Sequence, residues 1–303
     1  MAKNKLTVLL YHGVSNHSYN NIENFSGKHI AVRDFDKHIQ FLHKNCTILS
    51  MDDVVDIYKN GDAWPKNAVA VTFDDGFKNN YSQAAPILDK YNCPAIFYVC
   101  AGMVNTDMMF WVDEIEDCIN RTRQARITLS LDESVNLSLK SDADKLYAIK
   151  IIKKYCKKSK KEVKDNLISK LAYQSGINPS VNASPDYPMM SWSEVKELSS
   201  SSLFVVGGHT LYHDIMAAQD IKRLRIDIDA TISLLDYNLT QSTTHFAYPE
   251  GQDNHYSKEV IAALKDRGIV CSPSAIDGVN TDEDLFNLKR IMPNFMGRKF
   301  PFW

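Results

Sequence analysis

Apolar residues recur in two rhythms along this chain. Short runs of apolar and β-branched residues read as buried strands: "KLTVLLYH" (5–12), "CTILS" (46–50), "NAVAVTFD" (67–74), "PAIFYVCAG" (94–102) and "LFVVGGH" (203–209). Between them lie helical patterns. Residues 33–45 place Phe35, Ile39 and Leu42 on one face, with Asp34 as the expected N-cap. Residues 51–61 form a helix closed by Gly61, and 79–92 a helix made irregular by Pro86. Further helices are expected over 191–200, 216–239 and 254–268. "THFAYPEG" (244–251) is a strand entering a turn, and "IVCSPS" and "LKRIMP" are the last strands. Strands alternating with helices predict a parallel sheet. There are enough repeats to close a β/α barrel of seven or eight strands, which is favoured over an open doubly wound sheet.

The rhythm breaks from about residue 106 to 186. Residues 107–122 are amphipathic and helical, 127–139 suit a small hairpin, and 141–176 are helical and basic. The block reads as a mainly helical insertion in a single catalytic domain, 1–303. Its lysine run, 153–164, is expected to be a solvated helix face, with a docking surface for an anionic partner as the lesser alternative.

Composition narrows the class. Of 303 residues, 44% are hydrophobic and 24% charged, enough for a sizeable core. A formal net charge of -2 gives no general attraction to nucleic acid or anionic membrane. No apolar run approaches the roughly 18–20 residues of a membrane span. The N-terminal "MAKNKLTVLLY" has two lysines before an apolar run, but the run is shorter than the ~7–15 residues of a signal h-region. The expectation is a cytoplasmic protein. Six scattered cysteines form no C-x-x-C pair and are expected to be free thiols.

Four strands end in unusual polar residues: Tyr11-His12, Asp74-Asp75-Gly76, Gly207-Gly208-His209 and Tyr248-Pro249-Glu250-Gly251. The C-terminal ends of parallel strands are where such folds place their sites. In "HTLYH", His209 and His213 are four apart, so on a helical turn both imidazoles would face one way, as a shared metal requires. The same spacing suits two surface histidines at a helix start. The pair Asp74-Asp75 suits either a helix N-cap or a carboxylate pair at a sharp turn, one acid on a metal and the other on a water.

The ordered set "TFDDG", "HTLYH" and "FAYPEG" resembles the polysaccharide deacetylase family, carbohydrate esterase family 4, whose fold is a distorted (β/α)7 barrel. "LLYHGVS", "SWSEVKEL" and "LKRIMP" fit as well. The branch resembled is that of surface-polysaccharide and poly-N-acetylglucosamine deacetylases. The resemblance implies that Asp75, His209 and His213 hold a divalent metal, usually zinc, with cobalt, nickel or manganese also suited. It implies that Asp74 is the general base, and that the turn after Tyr248, near Glu250, presents a backbone N–H to the oxyanion. The implied reaction is metal-dependent hydrolysis of an N-acetyl or O-acetyl group on a sugar or oligosaccharide precursor, releasing acetate.

Three departures from the family pattern stand out. Ala247 occupies a position where many members carry an arginine that orients the catalytic aspartate; Arg290 is the substitute expected here. No histidine follows His255, so the general acid of many members is missing, and His12 is the expected replacement. Glu250 stands where tyrosine is common, and is expected to point away from the oxyanion or toward a substrate amine or hydroxyl. Asp214 reads as a first-turn helix charge and Asp253 as a turn residue. Phe110 and Trp111 suit either core packing or a sugar-lining wall. The C-terminal "FPFW" would pack on the barrel or make an oligomer contact, and the oligomeric state is open. Two other functions remain: a hydrolase of non-sugar amides or cyclic imides on the same fold, and a non-catalytic scaffold relative.

Overall fold

A computed structural model describes residues 4–300. Residues 301–303 of "FPFW" lie outside the described residues; Phe300 stacks on the His38 ring, centroids 4.0 Å apart.

The chain divides into two compact units. The first comprises residues up to Asn16, Ser26–Thr106 and the chain from Met189 onward. Its elements run in order β1 (Leu6–Tyr11), β2 (Gly13–Ser15), β3 (His29–Ala31), α1 (Val32–Asn45), β4 (Thr47–Leu49), α2 (Met51–Asn60), β5 (Ala68–Phe73), α3 (Ala85–Lys90) and β6 (Ala95–Val99). The second unit, His17–Phe25 with Asp107–Pro188, holds α4 (Trp111–Arg121), the hairpin β7 (Arg126–Ser130) and β8 (Ser134–Ser138), α5 (Asp142–Cys156) and α6 (Lys161–Ser175). The first unit then resumes with α7 (Trp192–Ser200), β9 (Phe204–Gly208), α8 (Ile221–Asn238) and α9 (Lys258–Lys265).

Strands β1, β5, β6 and β9 pair in parallel in that order, with β4 also on β5. Beyond β9 the staves shorten to bridges. Gly208 pairs with Phe246 and His245 with Cys271. Ser272 N and Ser274 N donate to Leu285 O and Leu288 O. Ile291 pairs in parallel with Leu9, returning to β1. Seven staves thus close a distorted (β/α)7 barrel.

Strand alternation sorts the side chains. Leu9 and Tyr11, Val69, Val71 and Phe73, and Phe97 and Val99 pack with Phe35 and Ile39 of α1, Leu88 of α3 and Leu198 of α7. Leu6 and Val8, Ala68 and Ala70, and Ile96 and Tyr98 take the opposite face. Continued to the strand ends, this second register is the one that reaches His12, Asp74 and His209. The barrel's own alternation therefore aims three of the candidate side chains.

Several element ends differ from the sequence pattern. Ala31, not Asp34, is the N-cap of α1, and Asp34 sits in its first turn. The helix expected over 216–239 is a 3₁₀ turn at Met216–Ala218 followed by α8, whose N-cap Asp220 accepts from Lys222 N and Arg223 N. Asp214 therefore lies in a loop, not in a first helical turn. The expected 254–268 helix starts only at Lys258, capped by Ser257. Ahead of Pro86 the helix widens into a π turn, Asn80–Ala84. That turn carries the buried Asn80, whose Nδ2 donates to His12 O at 2.5 Å.

In the second unit, Trp111, Ile115, Cys118, Ile149, Ile152, Leu167 and Leu171 form one core, joined by Ile22. Phe110 and Trp111 are buried, and Trp111 belongs to this core. The lysine run is not uniformly solvated: Lys164 is buried with its Nζ 5.3 Å over the Trp111 ring, and Lys153 pairs with Glu116. Burial, reinforced by Asp165 and Asp113, raises the Glu114 carboxyl to about 7. A carboxyl raised on folding stabilises below its unfolded pKa, and that contribution is lost as pH rises through about 7. Glu114→Gln should therefore raise stability at pH 8 by on the order of 1 kcal/mol, allowing for screening of a half-buried group, and leave it nearly unchanged at pH 5. Thermal melts at the two pH values check this.

Among the described residues, no helix is long and apolar enough to cross a membrane. All six cysteines are free.

Candidate active site

Asp74 continues the inward register of Ala68, Ala70 and Thr72. Adjacent strand residues point oppositely, so Asp75 would ordinarily face away. It does not, because the chain turns there: Asp75 has φ 78° and Gly76 φ 90°. The left-handed turn is unfavourable for an aspartate and needs support from its surroundings. It brings both carboxylates toward one cavity.

His209 and His213 are not on a helical turn. His209 follows β9, and the next residues make an irregular turn with Thr210 at φ 63° and His213 at φ 60°. These two left-handed residues bring the imidazoles together where helical spacing was expected to do so. Asp227 of α8 steadies the turn, accepting from Leu211 N at 2.9 Å and from Thr231 Oγ1 at 3.2 Å.

The three ligand atoms of Asp75, His209 and His213 lie within 4.8 Å of one another, and all three residues are buried. His213 Nε2 is 3.4 Å and His209 Nε2 3.6 Å from Asp75 Oδ1. A tetrahedral ion with bonds of about 2.1 Å spaces its ligands by about 3.4 Å. The donor set fits on a second count. His209 Nδ1 lies 2.9 Å from Ala247 O, so it carries the proton and leaves Nε2 a lone pair. Asp75 Oδ1 is buried and accepts no hydrogen bond among the described residues.

Asp74 is bound differently. Arg290 Nη1 and Nη2 donate to its two oxygens at 2.7 Å each. Arg290 also donates to Ser274 O from Nε at 2.6 Å and to Thr72 Oγ1 from Nη1 at 3.2 Å. The guanidinium is 1% exposed, so its charge needs this partner. Neither carboxylate oxygen of Asp74 serves as a helix cap. Burial alone would raise the Asp74 carboxyl. Arg290 above all, then His209 and His12, outweighs burial and holds the carboxyl below the usual carboxylate range. For Asp75, burial is likewise outweighed, by the contact with His209 and the charges of His213 and His12, and its pKa is depressed. Burial draws His213 down to about 4 against the pull of Asp75.

Residues 61–271, spanning Asp74, Asp75, His209, His213 and Glu250, match the polysaccharide deacetylase family. The chain belongs to that family. A Bacillus subtilis (strain 168) protein described as polysaccharide deacetylase YxkH is 31% identical over 98 residues. That match spans about a third of each protein, 31% of this chain and 32% of the relative. Two solved structures share the fold. The Streptococcus pyogenes deacetylase PplD in complex with acetate has TM-score 0.62 at 16% identity, over 97% of this chain and 94% of its own. IcaB from Ammonifex degensii has TM-score 0.61 at 20% identity, over 96% of this chain and 92% of its own.

The remaining sequence candidates divide within this deacetylase fold. His12 ends the inward register of β1, and its Nδ1 is buried with no hydrogen-bond partner among the described residues. Burial lowers its pKa, while the charges of Asp75 and Asp74 pull it back up. Glu250 sits in a left-handed turn at φ 61°, with its charge acting on His213. The Tyr248 side chain is not at the site. It is fully buried, donates from its hydroxyl to Phe286 O at 3.1 Å and stacks on Tyr256, centroids 4.1 Å apart. Only its backbone remains for the oxyanion role. Sequence reasoning missed Asp227. The available signal was an acid on the apolar face of Leu224, Ile228, Thr231 and Leu235.

Proposed function

We propose that this deacetylase-family chain removes an acetyl group, in the first place an N-acetyl group, from a sugar or oligosaccharide precursor. The observation that carries the reading is the Asp74–Arg290 pair beside the Asp75, His209 and His213 set. Those three residues would hold a divalent cation, zinc foremost. Such an ion, when bound, polarises the acyl carbonyl and makes water more acidic.

The chain's own residues supply the rest. Asp74 takes a proton from the attacking water at a carboxylate oxygen. Arg290 keeps that carboxylate ionised and fixes its plane through two parallel hydrogen bonds. The backbone N–H near Glu250 donates to the oxyanion as the carbonyl carbon gains its new C–O bond. The C–N bond then breaks and acetate leaves. The proton gained by Asp74 must reach the leaving nitrogen, and His12 is the second group able to carry it. His12→Gln is then expected to lower kcat about 100-fold while the bound metal stays stoichiometric. Full turnover in that variant would remove His12 from the proton path.

Acetate release across N-acetylated and O-acetylated sugars, free, nucleotide-linked and oligomeric, tests the substrate class. Preference for N-acetylated sugars is expected. Hydrolysis of small amides or cyclic imides alone would contradict it.

A further inference from the structure

Below the Arg290–Asp74 pair, the inward face of the barrel carries two buried polar groups with no partner among the described residues. Tyr98 is fully buried, and its Oη makes no hydrogen bond there. Burial pushes its phenol pKa well up, so it remains an O–H donor. His245, also fully buried, lies 2.9 Å from Asp52 Oδ1 through Nε2. That contact makes Nε2 the protonated nitrogen and leaves Nδ1 an acceptor in the neutral ring. His245 Nδ1 likewise has no partner among the described residues. One orphan is a donor and the other an acceptor.

Both belong to one region of the barrel. Tyr98 pairs with Gly207 across β6 and β9, and the His245–Ala247 stave follows β9. A Cβ at Gly207 would stand 2.8 Å from both the Tyr98 ring and His245 O. Glycine there lets the tyrosine ring cross toward the His245 stave. The same ring supports the catalytic end: Arg290 Cζ lies 5.8 Å from its centroid. Tyr98 also feels the charges of Arg290, Asp74 and Asp52. Arg290 itself is committed to Ser274, Thr72 and Asp74 through its Nε, Nη1 and Nη2.

Leaving a buried donor and a buried acceptor both unmet is costly, and a polar interior of this kind ordinarily holds water. We propose that ordered water in the barrel interior accepts from Tyr98 Oη and donates to His245 Nδ1. The chain Asp52–His245–water–Tyr98 then holds the ring that lies against Arg290. Tyr98, His245 and Asp52 become positioning residues for the base, acting through Arg290 and touching no substrate. The water does not depend on the function proposed above, whereas the positioning role rests on Asp74 being the base.

The two parts are tested separately. A high-resolution crystal structure of the zinc-loaded full chain should show water within hydrogen-bonding distance of both Tyr98 Oη and His245 Nδ1. A dry interior, or direct contact between the two side chains, would overturn the bridge. Tyr98→Phe keeps the ring and removes the donor. It should lower kcat about tenfold with KM and zinc content unchanged. Asp52→Ala, at an exposed helix start, should give a smaller loss of the same kind. Wild-type kcat in both variants would overturn the positioning role, as would a change confined to KM or metal content.

Discussion

Asp74→Asn should lower kcat by about 10²–10⁴ while zinc binding persists, because the variant keeps all three ligand residues and loses only the proton acceptor. The substitution is nearly isosteric, so a collapsed site is not the expected cause. Its second consequence is structural. A neutral amide at this position leaves the Arg290 guanidinium, 1% exposed, without its ionic partner. Removing one member of a buried pair typically costs about 3–5 kcal/mol. The variant should therefore melt earlier as well as turn over more slowly. Metal analysis, a thermal melt and an acetate assay separate the effects. Near-normal turnover would remove Asp74 as the base.

Arg290→Ala attacks the same pair from the other side. Burial alone raises the Asp74 carboxyl, and Arg290 is the main influence opposing it. Without the guanidinium, the Asp74 pKa should climb, and the acid limb of the kcat profile should move toward neutral pH. A depressed folded-state pKa gives stability that is complete above the unfolded value of about 3.9 and is lost as pH falls through the folded one. In the native protein that loss lies below about pH 4. The alanine variant should lack this contribution at every higher pH. Turnover at neutral pH should fall about 100-fold. Arg290→Lys should rescue little, since an ammonium cannot reproduce the two parallel hydrogen bonds and the further bonds to Ser274 and Thr72. An unchanged pH profile in the alanine variant would show that Ala247 leaves no gap for Arg290 to fill.

Much of the barrel is legible because strand alternation is a local rule. The register Ala68, Ala70, Thr72, Asp74 can be read directly from "AVAVTFD". Arg290 is legible as a candidate because Ala247 removes the expected cation and "LKRIMP" supplies one, on the stave that pairs with β1. What alternation cannot give is the direction of Asp75 and His213. Both depend on left-handed backbone at non-glycine residues, which is held by tertiary surroundings and has no propensity signal. For the same reason the two histidines act together from an irregular turn rather than a helix. The recruitment of residues 17–25 into the helical unit is equally silent, since it rests on Ile22 entering a core built from residues 111–171. Tyr248 misleads in the other direction: it lies inside the motif, yet its ring serves the barrel core.

The most direct test of the central assignment is acetate release from an N-acetylated glucosamine oligomer by the full chain, before and after removal of metal with a chelator. Activity should vanish on stripping and return with one equivalent of zinc, and no acetate should be released, with or without zinc, when His209 and His213 are both replaced by alanine. Acetate release that survives stripping, or that persists in the double variant, would contradict a site built on Asp75, His209 and His213.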